Sequence, residues 1–184
     1  MNTAQPTLET ERLVLRPFAL SDAADIQRLA GDFSVADTTL NIPHPYPDGA
    51  AEEFISSHPA KYEKGDAVSF AITLKRDGSL IGGMGLNVNK RFQRAELGYW
   101  IATPFWNQGY ATEAGRATVE FGFRQWSLHK IEATYLGRNP ASGRVMQKIG
   151  LVQEGLLRDH VIKWDRYEDI VTCGIVKKIE AVEL

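Results

Sequence analysis

A short polar segment between an apolar run and a helical pattern carries the residues best suited to chemistry. Residues 107–112 (NQGYAT) follow a predicted strand and open an amphipathic helix. The first amides of a helix lack intrahelical partners and lie at the positive end of its dipole, so they can bind anions. Gly109 lets the backbone approach a phosphate closely, and the Thr112 hydroxyl can donate one more hydrogen bond. The segment predicts a diphosphate site, although a plain strand-to-helix turn with one glycine has the same pattern.

Other patterns that bind nucleotides or metals are missing from the sequence. No Walker sequence occurs. The glycine cluster at 82–85 lacks the last glycine of the G-x-G-x-x-G pattern, and it lacks the helix that follows that pattern in a dinucleotide-binding turn. His44 and His129 are isolated and have no metal-ligand spacing, so we predict no metal site. The lone Cys173 excludes an internal disulfide and a four-cysteine zinc site, and it suits a reducing cytosol.

The composition is that of an ordinary globular protein, and it excludes several functional classes. The 184 residues fit one domain, which we place at 1–184. The net charge of −2 argues against bulk affinity for nucleic acid. No run approaches 18 apolar residues, and residues 1–11 lack the features of a signal peptide. We therefore predict a cytoplasmic protein with no membrane or nucleic-acid partner.

The periodicity of the apolar residues predicts the elements that position the polar segment. Strands are predicted at 13–17, 68–74, 80–88, 94–101, 129–135, 152–158 and 167–176, and helices at 21–30, 49–62, 110–125 and 140–149. We expect an α/β (α+β) fold in which a mixed, mostly antiparallel sheet of about seven strands is flanked by about four helices. Three prolines within 41–49 exclude helix and central strand there, so that segment is extended and either exposed or part of a cleft wall.

Five segments together resemble the GNAT superfamily of acyl-CoA N-acyltransferases, in the branch of the ribosomal-protein N-terminal (alanine/serine) acetyltransferases. Residues 107–114 are similar to its coenzyme A pyrophosphate loop, and 8–17, 42–46, 96–101 and 139–151 are similar to other segments of that branch. The superfamily pattern has Gln or Arg where this chain has Trp106, and the branch commonly has an aromatic residue there. We interpret Trp106 and Trp126, which flank the central helix, as core anchors.

The resemblance implies acetyl-CoA as co-substrate, without a metal, and it identifies a set of binding residues. In the family, two neighbouring strands, here 96–101 and 129–135, splay apart and the pantetheine arm lies between them. Asn139 is also expected to cap the helix that Pro140 opens. The residues expected to bind coenzyme A are Trp100, Ile101, Gln108, Gly109, Tyr110, Ala111, Thr112, Asn139 and Ser142.

Direct transfer of an acetyl group, which the resemblance implies, needs a base that accepts the proton of the amine. We favour Glu96, because the neighbouring Gly98 leaves space on its strand face; a solvated or ion-paired carboxylate is an equal alternative. Asp159 and His160 are weaker candidates. The family places Ser142 near the sulfur, where its hydroxyl can protonate the departing thiolate.

One position departs from the ribosomal-protein branch in a way that concerns catalysis. That branch uses a glutamate as base in the strand after the last helix, and ungapped counting from Glu154 places Val161 there. Valine cannot accept a proton. The sequence therefore keeps open a non-catalytic acyl-CoA-binding regulatory module as well as an enzyme.

The acceptor predicted from the resemblance is the α-amino group of a protein N-terminus, and the alternative is a small-molecule amine such as an amino acid, polyamine or antibiotic. The segment 41–49 and the second helix would form the acceptor wall. Residues 38–63 hold no concentrated acidic run, which favours a peptide over a polyamine. The sequence leaves the oligomeric state open, with a homodimer as one alternative.

Overall fold

One sheet runs through the computed structural model, which describes residues 4–177. Its strand order is β1-β2-β3-β4-β5-β6-β8-β7. The strands are β1 (Leu8–Glu9), β2 (Leu13–Pro17), β3 (Ala67–Leu74), β4 (Leu80–Asn89), β5 (Arg94–Ile101), β6 (Lys130–Leu136), β7 (Val152–Lys163) and β8 (Arg166–Val176). The α-helices are α1 (Ala23–Ala30), α2 (Phe33–Thr38), α3 (Ala50–Ser56), α4 (His58–Glu63), α5 (Tyr110–Gln125) and α6 (Pro140–Lys148). The outermost residues of the expected domain, 1–3 and 178–184, lie outside this description.

The expected fold class is confirmed, and the differences from the expected elements have local causes. The additional strand is β1, which pairs with β2 through only two residues. Helix α2 was not predicted; it begins where the Asp32 carboxylate accepts a hydrogen bond from the Ser34 amide at 2.8 Å. The single helix predicted at 49–62 is wrong, because the chain forms α3 and α4 around Ser57. Pro59 has no amide hydrogen with which to continue the helical ladder.

A gap opens in the middle of the sheet between the only parallel pair of strands in the described chain, β5 and β6. Their register joins Arg94, Ala95 and Glu96 of β5 to the first three residues of β6, and the pairing stops there. Strand β5 remains paired with β4 as far as Ile101, and β6 remains paired with β8 as far as Leu136. The splay expected from the resemblance is therefore present, and beyond Glu96 the facing edges of β5 and β6 are not paired with each other.

Helix α5 lies across the sheet and fixes where the polar segment before it must be. Its buried face includes Ala114 and Phe121, which join the main hydrophobic core. Gly122 allows a close approach, since a Cβ there would lie 2.8 Å from Leu86 and 3.0 Å from Ile131. A second, smaller core packs α1 and α3 against the sheet. The start of α5 is thereby held beside the end of β5.

Candidate active site

The segment predicted to bind phosphates forms a tight turn into α5. Gly109 is the residue before the helix and has φ +83, a left-handed conformation that glycine adopts without a Cβ clash. Asn107, two residues earlier, also has a positive φ of 60. Because the helix begins at Tyr110, the amides of its first turn have no carbonyl partners within the helix. They are suited to bind an anion.

A cavity of about 270 Å³ lies at this turn and extends along α6. It is lined by eight of the nine residues expected to bind coenzyme A: Trp100, Ile101, Gly109, Tyr110, Ala111, Thr112, Asn139 and Ser142. We call it the cofactor cavity. Its charged lining residues are Arg144 and Lys148, which the sequence reasoning missed and which suit a ligand carrying phosphates.

Gln108, the ninth expected residue, turns its side chain away from the cofactor cavity. Its Nε2 donates to the Pro104 carbonyl at 2.9 Å. Trp106 also differs from expectation, since 37% of it is exposed and it lines the cavity. Its indole N–H donates to the Ile101 carbonyl at 2.6 Å, so Trp106 braces the turn and is not a core anchor. Trp126 does pack against the main core.

Residues from the beginning of the chain hold the turn in place. The Arg12 guanidinium donates to the Glu113 carboxylate at 2.7 Å and to the Gln108 carbonyl at 3.0 Å. It also lies over the Tyr110 ring, 4.5 Å from its centre. Burial alone would raise the pKa of Glu113, but hydrogen bonds from Thr10 and Arg12 keep this pKa below its usual value. Nothing in the spacing of these residues indicates the contact, because it joins positions a hundred residues apart.

Ser142 lies where the splayed strands and α6 meet, and Tyr99 contacts it. The two hydroxyl oxygens are 2.8 Å apart. Burial raises the pKa of the Tyr99 phenol, against a smaller lowering by the Ser142 hydrogen bond, so the phenol keeps its proton at neutral pH. Sequence alternation placed Tyr99 on the core face, and only the return of α6 makes it a site residue.

Asn139 caps α6 as expected, and its side chain is held at both ends. Its Oδ1 accepts from the Ser142 amide at 3.3 Å, and its Nδ2 donates to the Thr38 carbonyl at 3.2 Å. One lone pair and one N–H remain for a ligand. Asn139 therefore ties the end of α2 to the start of α6.

A second cavity, of about 320 Å³, adjoins the first on the other side of the splayed strands. We call it the acceptor cavity. The two share five lining residues: Thr38, Thr39, Tyr99, Trp100 and Ser142. Its other walls come from the segment 40–42, from α3 and α4, and from β3, β4 and β6. A group placed beside Ser142 can be reached from both sides.

Glu96 is the one carboxylate among the residues that line the acceptor cavity. Its side chain is exposed, and its Oε1 accepts a hydrogen bond from the Thr134 hydroxyl at 3.3 Å. Gly98 next to it has open space where a Cβ would be, as predicted. Asp159 and His160 are exposed and line neither cavity. The structure therefore separates Glu96 from the weaker candidates.

Val161, the position that departs from the branch, also lines neither cavity. Its partner across the β7–β8 ladder is Glu168. The Glu168 carboxylate accepts from Arg138 at 2.8 Å, so this glutamate is held in an ion pair. It does not replace the missing carboxylate.

The proline-containing segment is confirmed as part of a cleft wall. Ile42 lines the acceptor cavity, while the three prolines are exposed. Lys163, only 6% exposed, donates to the carbonyls of Leu40 at 3.2 Å and of Ile42 at 3.3 Å. His44 has a structural contact: its Nδ1 lies 2.9 Å from the Gly31 carbonyl. The hairpin of β7 and β8 thus supports the acceptor wall.

Two features are absent from the part of the chain that the structure describes. Residues 4–177 hold no group of three or more His, Cys, Asp or Glu side chains that could bind a metal ion. None of the helices formed by these residues has the length and apolar character needed to cross a membrane.

Comparison with known proteins identifies the family. Residues 12–152 match the model of the acetyltransferase (GNAT) domain. The chain is 32% identical over 174 residues to an uncharacterized N-acetyltransferase, p20, of Bacillus licheniformis, covering 94% of this chain and 97% of p20. It is 27% identical over 186 residues to the ribosomal protein uS5-alanine N-acetyltransferase of Escherichia coli, covering 95% of this chain and 92% of that enzyme.

The fold agrees with a solved structure of RimL, a ribosomal L7/L12 alpha-N-protein acetyltransferase in complex with coenzyme A. The TM-score is 0.85 at 16% identity, over 93% of this chain and 98% of RimL. The family model covers most of the chain and relatives of the same kind align along nearly its whole length. The chain therefore belongs to the GNAT family and is an acetyl-CoA-dependent N-acetyltransferase.

Proposed function

We propose that this protein acetylates the α-amino group of a protein N-terminus by direct transfer from acetyl-CoA, and that it does so in the cytoplasm. One observation carries the proposal: two cavities of different charge meet at the Tyr99–Ser142 pair. Arg144 and Lys148 give the cofactor cavity a positive lining, while the acceptor cavity holds one carboxylate, Glu96, and one lysine, Lys61, whose formal charges cancel.

The cofactor cavity suits coenzyme A in the donor groups and charges of its lining. The first-turn amides of α5 and the Thr112 hydroxyl would bind the diphosphate. The free edge of β5 at Trp100 and Ile101 would bind the pantetheine amides, and its N–H groups would polarise the thioester carbonyl. Acetyl-CoA supplies the activated acetyl group.

The acceptor side would manage the proton of the amine. An aliphatic amine is largely protonated at neutral pH, and only its neutral form has the lone pair needed for attack. Glu96 would accept that proton, directly or through water, because it is the carboxylate that faces the acceptor cavity. Ser142 would donate its proton to the departing thiolate and regain one from water, while Tyr99 orients the Ser142 hydroxyl through the hydrogen bond that the two share.

A peptide N-terminus is favoured over a polyamine by the charge of the acceptor cavity. A polycation would require several carboxylates, whereas the single carboxylate Glu96 is matched by Lys61, which lines the same cavity. The 27% identity to an alanine N-acetyltransferase of a ribosomal protein over nearly the whole chain also supports a peptide. A small-molecule amine carrying one positive charge is the second candidate, because the acceptor cavity of about 320 Å³ can enclose such a compound.

The test is an acetyl-transfer assay on the wild-type chain with acetyl-CoA and a panel of peptides and amines. Release of free thiol gives the rate, and fragmentation mass spectrometry locates the acetyl group on the α-amine or on a lysine side chain. We expect α-amine products. Tight binding of coenzyme A without turnover on any acceptor would instead favour a regulatory module.

Glu96→Gln tests the proposed base within the same assay. We expect about a hundredfold loss of kcat, with the pH dependence of the rate flattened on its rising limb, because the amide cannot accept a proton. Glu168→Gln is the matched control, since its carboxylate lies outside both cavities. An unaltered pH profile for Glu96→Gln would remove Glu96 from the mechanism.

A further inference from the structure

A row of very small residues crosses the floor of the acceptor cavity. The strand register aligns Ser69 of β3 with Gly85 of β4, and Gly85 with Gly98 of β5. All three line the cavity. Because residues that pair across a sheet point to the same face, they form a continuous shallow trough that ends at the gap between β5 and β6.

The two glycines of the trough are there for different reasons. A Cβ on Gly85 would collide with the Val68 carbonyl, so packing within the sheet explains that glycine. A Cβ on Gly98 would meet nothing within 4 Å. A glycine inside a strand destabilises the folded chain relative to alanine. The chain itself gains nothing from the space at Gly98, which points to a bound group as its use.

Aromatic rings form the wall above this floor. The His58 ring lies 4.3 Å from that of Phe54 and 5.5 Å from that of Phe18, measured between ring centres. Trp100 packs against β4 so closely that a Cβ on Gly83 would lie 2.7 Å from its indole nitrogen. These four rings all line the acceptor cavity.

The aromatic wall is uncharged at neutral pH. His58 is 7% exposed, and burial, together with the charge of Lys61, lowers its pKa to about 4. Its ring is therefore neutral and adds to the apolar surface. Charge enters this cavity only at Glu96 and Lys61. An acceptor with a single ammonium group and an apolar body matches that distribution.

We propose that the trough holds an aromatic or large apolar group attached beside the acceptor amine, and that Gly98 is the residue that admits it. This inference rests on the acetyltransferase function proposed above. The amine would lie toward Glu96 and Ser142, and the apolar group would lie across Gly98 against the aromatic wall. For a peptide acceptor, that group is the side chain of the first residue.

The experiment compares acceptors that differ only in this group. L-phenylalaninamide and L-alaninamide carry the same amine and charge, and spermidine represents the polycations. We expect kcat/KM to be at least about tenfold higher for phenylalaninamide than for alaninamide, in line with the value of apolar contacts in a pocket. Spermidine should be the poorest of the three.

Gly98→Leu should reduce the phenylalaninamide-to-alaninamide ratio of kcat/KM by at least about tenfold, because its side chain fills the trough. Gly98→Ala should reduce this ratio less. We expect this variant to fold normally, because the added methyl group meets no atom within 4 Å. Gln153→Leu is the matched control, an exposed strand position that lines neither cavity. Its ratio should equal that of the wild type.

The possible outcomes distinguish a failure of this inference from a failure of the proposed acetyltransferase function. If the wild type acetylates alaninamide or spermidine at least as well as phenylalaninamide, the inference fails while the acetyltransferase function stands. An unchanged ratio in both Gly98 variants, with coenzyme A binding intact, also overturns it. If the wild type acetylates none of the acceptors, including the peptide panel, the proposed function itself fails.

Discussion

The cofactor cavity and the acceptor cavity differ in how far apart their lining residues lie in the sequence. Most of the cofactor cavity comes from two stretches, 99–112 and 139–148. The acceptor cavity draws its walls from residues between Phe18 and Ile170. The first is mainly the product of two local turns into helices, whereas the second exists only when distant strands and helices are assembled. A substitution in the turn before α5 should therefore weaken the binding of coenzyme A alone. A substitution in a distant residue that supports the acceptor cavity should weaken the binding of the acceptor alone.

The two cavities also differ in how their surface segments are supported. The turn at residues 107–110 is held from outside by the ion pair of Arg12 and Glu113, at the surface. The acceptor wall is held by Lys163, which is buried. Burial lowers the pKa of Lys163, while the charge of Asp37 opposes this shift. The Trp164 ring, 4.3 Å from the Lys163 ammonium, and the Asp37 carboxylate partly compensate its lost hydration.

The largest effect should come from Gly109→Asp, which acts on the cofactor cavity alone. The new carboxylate would meet the diphosphate, and the left-handed backbone disfavours a side chain. We expect coenzyme A affinity to fall at least about a hundredfold by calorimetry. Gly78→Asp is the matched control, because Gly78 has a similar φ of 74 in a turn that lines neither cavity. Normal coenzyme A affinity in Gly109→Asp would refute the assignment of the turn.

Lys163→Met should act on the acceptor cavity with an intermediate effect. It leaves two carbonyl groups of the acceptor wall without a donor, at a cost of about 1–3 kcal/mol. We expect the acceptor KM to rise about tenfold and coenzyme A affinity to change less than twofold. Lys90→Met removes a lysine that also bonds a carbonyl but lines neither cavity, so its acceptor KM should be normal. Equal acceptor KM values for Lys163→Met and Lys90→Met would show that Lys163 does not support the acceptor wall.

Ser142→Ala and Tyr99→Phe should have the smallest effects, since they act where the cavities meet. A thiolate is a good leaving group, so losing its proton donor should lower kcat only about threefold, with coenzyme A affinity within a few-fold. Because Tyr99 acts through Ser142, the double variant should be no slower than Ser142→Ala. Multiplied losses in the double variant would show that Tyr99 acts independently, and an unchanged rate in Ser142→Ala would remove Ser142.

The elements near the turn at residues 107–110 could be predicted from sequence because they follow from local rules. The predicted bounds of β5 and α5 agree with the structure, and Asn139 caps α6 as its type and spacing indicate. Helix periodicity, strand alternation and capping depend on residues only a few positions apart. The prediction of one helix at 49–62 was wrong because apolar periodicity continues across Ser57, whereas the chain ends one helix there and begins another that contains Pro59.

The sequence by itself determined the family, the place of the glycine turn before α5 and the strand face on which Glu96 lies. Only the tertiary structure decided that Gln108 turns away, that Trp106 lines a cavity, and that Arg12 and Lys163 support the two binding regions. The physical reason is the range of the interactions. Backbone preferences act within a turn of helix or a pair of strands, whereas the contacts of Arg12 and Lys163 join segments 96 and 123 residues apart. The hydrogen bonds of Gln108 and Trp106 are local, but which of the two side chains lines the cavity depends on how the folded segments meet around the turn.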